Sequence, residues 1–200
     1  MVLSPSPRDA TRAAKTALRD QVLAARRGLP LADLGVHGAQ LADVLLQHEE
    51  VRRAATVTAY VSIGREPGTA RLIEGLAAAG KRVLLPVVLP DLDLDWAAYE
   101  GDASLASSSY GLLEPTGRRL GTDAVATADA VLVPGLAVSD RGHRLGRGGG
   151  CYDRALGRVP VGTFTCVMLY DGEVGRDVPV EPHDRPVLAA ATPSGVRLLR

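Results

Sequence analysis

The sequence predicts a three-layer α/β fold: a mixed, mostly parallel sheet with helices on both faces, and a pair of helices at the N-terminus. Three observations carry that prediction. Apolar residues recur at helical spacing from Ala14 to Leu46. Short apolar or β-branched runs follow at 56–61, 83–85, 130–133 and 161–169, alternating with helix-forming stretches. The chain has 200 residues, 46% of them hydrophobic and 23% charged, which is globular composition in a length suited to one domain, residues 1–200.

Ser6 and Pro7 read as a helix start, with a hydroxyl at the N-cap and proline at the first turn. The helix should run to Arg27, with Ala14, Leu18, Val22 and Ala25 as its apolar face, and Gly28 and Pro30 end it. A second helix is expected over 33–48, carrying Leu34, Leu41, Leu45 and Leu46, and the two are expected to form a small flap. The period then changes. Thr56–Val61 is a strand candidate, the turn at Gly64, Pro67 and Gly68 follows, and a helix over 69–79 ends at Gly80. Val83–Leu85 is the next strand, closed by Pro86, which gives a strand–helix–strand crossover. Leu94–Tyr99 reads as an antiparallel strand, and 103–121 as a long polar loop. Ala130–Val133 is a buried strand leading into a loop over 136–150, then a helix over 151–158. A strand at 161–169, a proline-rich turn at 179–186 and a short strand near 187–190 complete the chain. Ligands of such folds bind at the carboxyl ends of the strands.

Bulk properties exclude several function classes. Formal net charge is zero and the pI is about 6.9, so no global positive field exists to hold duplex nucleic acid. Cys151 and Cys166 form no CxxC pair and no metal-finger spacing, and two free thiols suit a reducing compartment. Residues 1–10 lack the apolar core of a signal peptide, and no run approaches the ~20 apolar residues of a membrane span. The expectation is a monomeric cytoplasmic protein with small-molecule substrates, no nucleic-acid partner and no membrane.

The informative stretch runs from Pro134 to Arg154, where four of the five residues from Gly146 to Gly150 are glycine. It follows an apolar strand and precedes a helix. Glycines there let a backbone approach a ligand and turn several amides toward it, and the helix start favours an anion. Arg141, Arg144 and Arg147 add cations that grip phosphate oxygens. Neither GxxxxGK[ST] nor GxGxxG is present. On glycine content alone, a flexible surface loop and a weak RNA contact remain open beside phosphate binding.

The full pattern narrows the choice. Pro-Gly…Gly-x-Arg-Leu-Gly-x-Gly-x-Gly-x-Tyr-Asp-Arg resembles the signature of the 5-formyltetrahydrofolate cyclo-ligase family, also called 5,10-methenyltetrahydrofolate synthetases. Other segments agree in order: Lys15-x-x-Leu-Arg19 followed by Arg26, Tyr60-Val-Ser-Ile-Gly-Arg-Glu66-x-x-Thr69, Gly80-Lys81, Tyr110-Gly-Leu-Leu-Glu114-Pro115, and Pro179-Val-Glu-Pro-His183-Asp184. The resemblance covers residues 9–192. It implies conversion of 5-formyltetrahydrofolate and ATP into 5,10-methenyltetrahydrofolate, ADP and phosphate, with Mg²⁺. Phosphorylation turns an amide oxygen into a leaving group, so the protein positions reactants and stabilises charge without a covalent nucleophile.

The resemblance also implies roles. Lys15 and Arg147 would be catalytic. ATP would meet Lys15 and Arg19 on one helix face, Arg144 and Leu145, the run Gly146, Arg147, Gly148, Gly149 and Gly150, and then Cys151 and Tyr152. The folate would meet Arg19, Val61, Glu66 and Tyr110, together with Arg147, Gly148, Gly149, Gly150 and Cys151. A carboxylate at Glu66 suits the N–H groups of a pterin. Asp153 and Asp184 would hold Mg²⁺, which favours hard oxygen ligands. Two carboxylates held close with no cation repel, so one of them should resist ionisation. Lys15 and Arg147 are expected on exposed elements. Val138-Ser139 stands where many members of the family carry an aromatic–aspartate pair, and Cys151 where they carry tyrosine. These departures keep one rival open, a nucleotide-binding relative with altered or lost folate activity; a second rival, an RNA-binding module using the Arg/Gly loop, is opposed by the neutral net charge and the 4% aromatic content.

Overall fold

The computed structural model describes residues 6–108 and 110–200. Helix α1 spans Pro7–Arg27, α2 Leu31–Gln47 and α3 Glu49–Arg53. The Ser6 hydroxyl accepts the Asp9 amide, as the N-cap reading expects. Then come β1 (Thr56–Thr58), α4 (Ala70–Ala78), β2 (Arg82–Val88) and β3 (Leu94–Ala98). Strands β4 (Leu105–Ser107) and β5 (Leu113–Pro115) pair as a hairpin. After β6 (Ala130–Pro134), β7 (Ala137–Val138) and β8 (Arg144–Leu145) form a second small hairpin. Helix α5 (Cys151–Leu156), β9 (Phe164–Met168), β10 (Ala189–Thr192) and β11 (Gly195–Leu198) end the chain.

Seven strands make the main sheet in the order β11-β10-β9-β6-β1-β2-β3. The five inner strands are parallel, and β11 and β3 run antiparallel at the edges. Period-two alternation sorts side chains between the two faces. Ala130 and Leu132 of β6 face α2, α3 and α4, whereas Val131 and Val133 face α5 and the segment around Val125. A parallel sheet covered on both sides needs apolar residues on both, which is why β6 reads as an unbroken apolar run.

Several expectations are corrected. Helix α2 is no flap: Leu41, Ala42 and Leu45 are fully buried against the sheet. Helix α1 does lie over the cleft described below, but its buried face is Lys15, Leu18, Val22 and Arg26, with Ala14 and Ala25 exposed. It packs on the β7–β8 hairpin through Leu136, Ala137 and Leu145. Strand β2 continues through Pro86. The Ala59 amide donates to Leu84, so alternate residues 84, 86 and 88 turn their backbone toward β1. By Pro86 that neighbour has ended, and the missing N–H costs no ladder bond. The buried Glu114 carboxylate takes the Val88 amide at 3.0 Å instead. That contact fixes the β4–β5 hairpin, in a region expected to be loop. Helix α5 is also shorter than expected, and β11 follows a strand that starts later than the sequence reading placed it.

Candidate functional site

The carboxyl ends of β1, β2 and β6 open into a cleft of about 550 Å³, a size suited to a small-molecule ligand. Tyr60 and Val61 after β1, Pro86 and Val88 of β2, and Pro134 and Gly135 at the end of β6 form its floor. The walls come from four places. Helix α1 supplies Arg12, Lys15, Thr16 and Arg19; the glycine loop supplies 144–153; the C-terminal turn supplies Glu181, His183 and Asp184; the β4–β5 hairpin supplies Leu112, Leu113 and Glu114.

The glycine loop bends where φ is positive: Gly148 at 106° and Gly150 at 69°. Side chains rarely adopt these conformations, and Gly150 immediately precedes α5. Arg144 braces the loop from beneath. Its buried guanidinium donates to the Pro134 carbonyl at 3.2 Å, lies 3.3 Å from Asp153, and covers the Tyr152 ring at 5.8 Å. Burial raises the Tyr152 hydroxyl far above its ordinary pKa, so it stays neutral. Leu145 is buried behind the loop, against α1. Arg19 reaches in from α1 and donates to the Gly146 carbonyl at 2.9 Å. Six residues of α5 give only a weak helix dipole.

Lys15 is buried, correcting the expectation of an exposed position. Its ammonium lies 2.8 Å from Glu181 and 2.7 Å from Asp184. Burial pushes the Asp184 carboxyl up, but the Lys15 hydrogen bond and the Glu181 amide outweigh it and hold its pKa below the ordinary value. Lys15 likewise lowers Glu181. The expected repulsion between Asp153 and Asp184 is therefore absent: each carboxylate already has a cation. Their segments do meet, since Asp153 accepts the amide of Arg185, the residue after Asp184, at 3.2 Å. Among the described residues, one group of three side chains could hold a metal: Glu181, His183 and Asp184, with ligand atoms within 4.8 Å of one another. Lys15 now pairs with both of its carboxylates, offsetting one of their two negative charges.

Across the cleft, Glu66 is buried and accepts the Ile63 amide at 3.0 Å and Arg147 Nε at 3.0 Å. Arg147 itself is half exposed. The expected residues Lys15, Arg19, Val61, Glu66, Arg144, Leu145, the run 146–150, Cys151, Tyr152, Asp153 and Asp184 all line one cavity. Tyr110 does not. It stands exposed near the tip of the β4–β5 hairpin, and Leu112 and Leu113 line the cleft in its place. Ser139 is also away from the cleft, its Oγ accepting the His143 amide in the turn between β7 and β8. Sequence reasoning missed Arg12 and Thr16, although both share the helix face of Lys15 and Arg19, a spacing that was visible. It gave Glu181 no role, because nothing local in the chain announces that a buried lysine from α1 arrives beside it.

Fold and cleft define an α/β protein of the enzyme type, with its site at the carboxyl ends of parallel strands. The comparisons make this specific. Residues 11–193 match the 5-formyltetrahydrofolate cyclo-ligase family, and the chain belongs to it. It is 40% identical to the 5-formyltetrahydrofolate cyclo-ligase of Mycolicibacterium smegmatis over 151 residues, covering 72% of this chain and 77% of the relative. Against the cyclo-ligase of Escherichia coli K12, identity is 33% over 179 residues, covering 86% and 96%. The solved 5,10-methenyltetrahydrofolate synthetase of Aquifex aeolicus superposes with a TM-score of 0.80 at 28% identity, over 93% of each chain.

Proposed function

We propose that this chain uses ATP to convert 5-formyltetrahydrofolate into 5,10-methenyltetrahydrofolate, releasing ADP and phosphate. One observation carries the reading: a glycine loop served by Arg19 and Arg147 shares a single cavity with the buried carboxylate Glu66. The loop amides and Arg19 suit phosphate oxygens, and Glu66 suits the N–H groups of a reduced pterin. The apolar floor at Val61 and Val88 and the hairpin leucines suit its ring.

In the proposed reaction the formyl oxygen attacks the γ-phosphorus and the bond to ADP breaks. N10 of the folate then bonds to the formyl carbon, and phosphate leaves with the C–O electron pair. The N10 proton passes to solvent. Lys15 and Arg147 are assigned to the charge that develops on the transferring phosphoryl oxygens. Asp153 and Asp184 fit a Mg²⁺–phosphate complex, both being hard carboxylate donors beside the loop. Mg²⁺ when bound supplies charge neutralisation at the phosphates. Lys15 would then exchange its carboxylate partners for phosphate. The free thiols Cys151 and Cys166 support a reducing, cytoplasmic setting.

The test is an absorbance assay for the methenyl product with purified protein, 5-formyltetrahydrofolate and Mg²⁺. Product is expected with ATP and not without it. Absence of product under conditions where the Escherichia coli relative turns over would remove the folate assignment.

A further inference from the structure

Every carboxylate expected to serve a ligand is held by a cation expected to serve another. Lys15 holds Asp184 and Glu181, Arg144 holds Asp153, and Arg147 holds Glu66. The last of these joins two different ligand sites. Glu66 belongs to the turn after β1, on the proposed folate side; Arg147 belongs to the glycine loop, where the nucleotide phosphates are proposed to sit beside the folate. Resting on the proposed function, we infer that the Arg147–Glu66 ion pair is a gate that makes nucleotide binding and folate binding cooperative.

Both Glu66 oxygens are engaged: Oε2 by the Ile63 amide and Oε1 by Arg147 Nε. The Ile63 contact is local to the turn. The Arg147 contact is the one a pterin N–H must replace. Among the described residues Arg147 is held through Nε alone, its side chain is 49% exposed, and it sits between Gly146 and Gly148. It is therefore free to swing toward a phosphate, which takes a guanidinium through two hydrogen bonds. Glu66 cannot follow, because its side chain is only 7% exposed.

The asymmetry sets the sign of the coupling. Nucleotide alone draws Arg147 away and leaves a buried carboxylate without its cation, an unfavourable state. Folate alone displaces Arg147 toward solvent. With both bound, the guanidinium has phosphate, the carboxylate has pterin N–H groups, and neither charge is stranded. Each ligand thus tightens the other by the same factor, as linkage requires. Removing the Glu66 charge removes the penalty on nucleotide binding in the absence of folate.

The experiment measures dissociation constants by calorimetry with the whole protein. 5-Formyltetrahydrofolate is titrated with and without a non-hydrolysable ATP analogue and Mg²⁺, and the analogue is titrated into wild type and Glu66→Gln. The analogue should tighten folate binding about fivefold or more. Glu66→Gln should bind the analogue tighter than wild type by a similar factor, with no folate present. Coupling through direct contact between the two ligands would leave that second titration unchanged, and an unchanged value overturns the gate. Equal folate affinity with and without the analogue overturns it too, while leaving the folate reading intact. No folate binding under either condition overturns both.

Discussion

Helix α1 carries two buried cations that look alike and sit in different circumstances. Near its C-terminus, Arg26 meets Glu173 through Nε at 2.7 Å and Nη2 at 2.8 Å, and Nη2 also reaches the Gly135 carbonyl at 2.8 Å. Burial alone would lower the Arg26 pKa, but Glu173 outweighs it and raises it. Near its N-terminus, Lys15 meets Glu181 and Asp184. The Arg26 pair lies behind the cleft floor, with no ligand to exchange with; the Lys15 cluster lies in the cleft wall. The same chemistry thus makes a closed anchor at one end of the helix and, under the proposed function, an exchangeable contact at the other. A buried ion pair that holds a helix still is distinguished from one that awaits a ligand by what else can reach it.

The largest effect should come from the anchor. Arg26→Ala leaves Glu173 buried without a cation and should cost about 3–5 kcal/mol of stability, read as a lower denaturant midpoint. The double replacement Arg26→Met, Glu173→Leu should regain most of that loss, because apolar groups of similar volume need no partner. Failure of the double variant to recover would show that the pair does more than neutralise itself.

Lys15→Met should behave in the opposite way. Its effect on stability should be the smaller of the two, since Glu181 stays partly solvated. Its effect on ATP-dependent turnover should be on the order of 10–100-fold, the worth of a charge-assisted hydrogen bond of about 1.5–3 kcal/mol. Equal loss of stability in Lys15→Met and Arg26→Ala would erase the distinction between anchor and exchangeable contact.

The smallest effect concerns pH. Asp184 is held below its ordinary pKa, so its contribution to stability is fully present above about pH 4 and is lost as pH falls through the lowered value. Wild type should therefore lose stability more steeply than Asp184→Asn below about pH 4, with the two curves parallel near neutrality. Parallel acid limbs would mean that Lys15 gives Asp184 no net stabilisation in the folded state.

How much of this was legible in the sequence depends on the range of the interaction. The α1 cap at Ser6, the end of α4 before Gly80 and the apolar run of β6 are written in neighbouring residues, and all were readable. The glycine loop was readable as a local oddity, and the resemblance supplied its setting. What was not readable depends on residues far apart in the chain. The buried state of Lys15 requires the turn at Glu181–Asp184, and the β4–β5 hairpin requires Glu114 to find the Val88 amide. Pro86 looked like a strand terminator because proline breaks ladders, yet it sits where the neighbouring strand has already stopped. Tyr110 lies outside the cleft for a related reason: sequence order places an aromatic between β4 and β5 but does not say whether it points inward.

The contacts of α1 have a bearing on how the molecule is made. The helix is synthesised well before its partners Glu173, Glu181 and Asp184, which lie 147 to 169 positions later. Until those residues emerge, Lys15 and Arg26 lack their carboxylate partners, and the apolar stripe of Leu18 and Val22 lacks Val178. A nascent chain stopped short of that turn would lack β10 and β11 as well as the carboxylates that hold Lys15. Closure of the cleft thus awaits the turn, joining segments far apart in the chain.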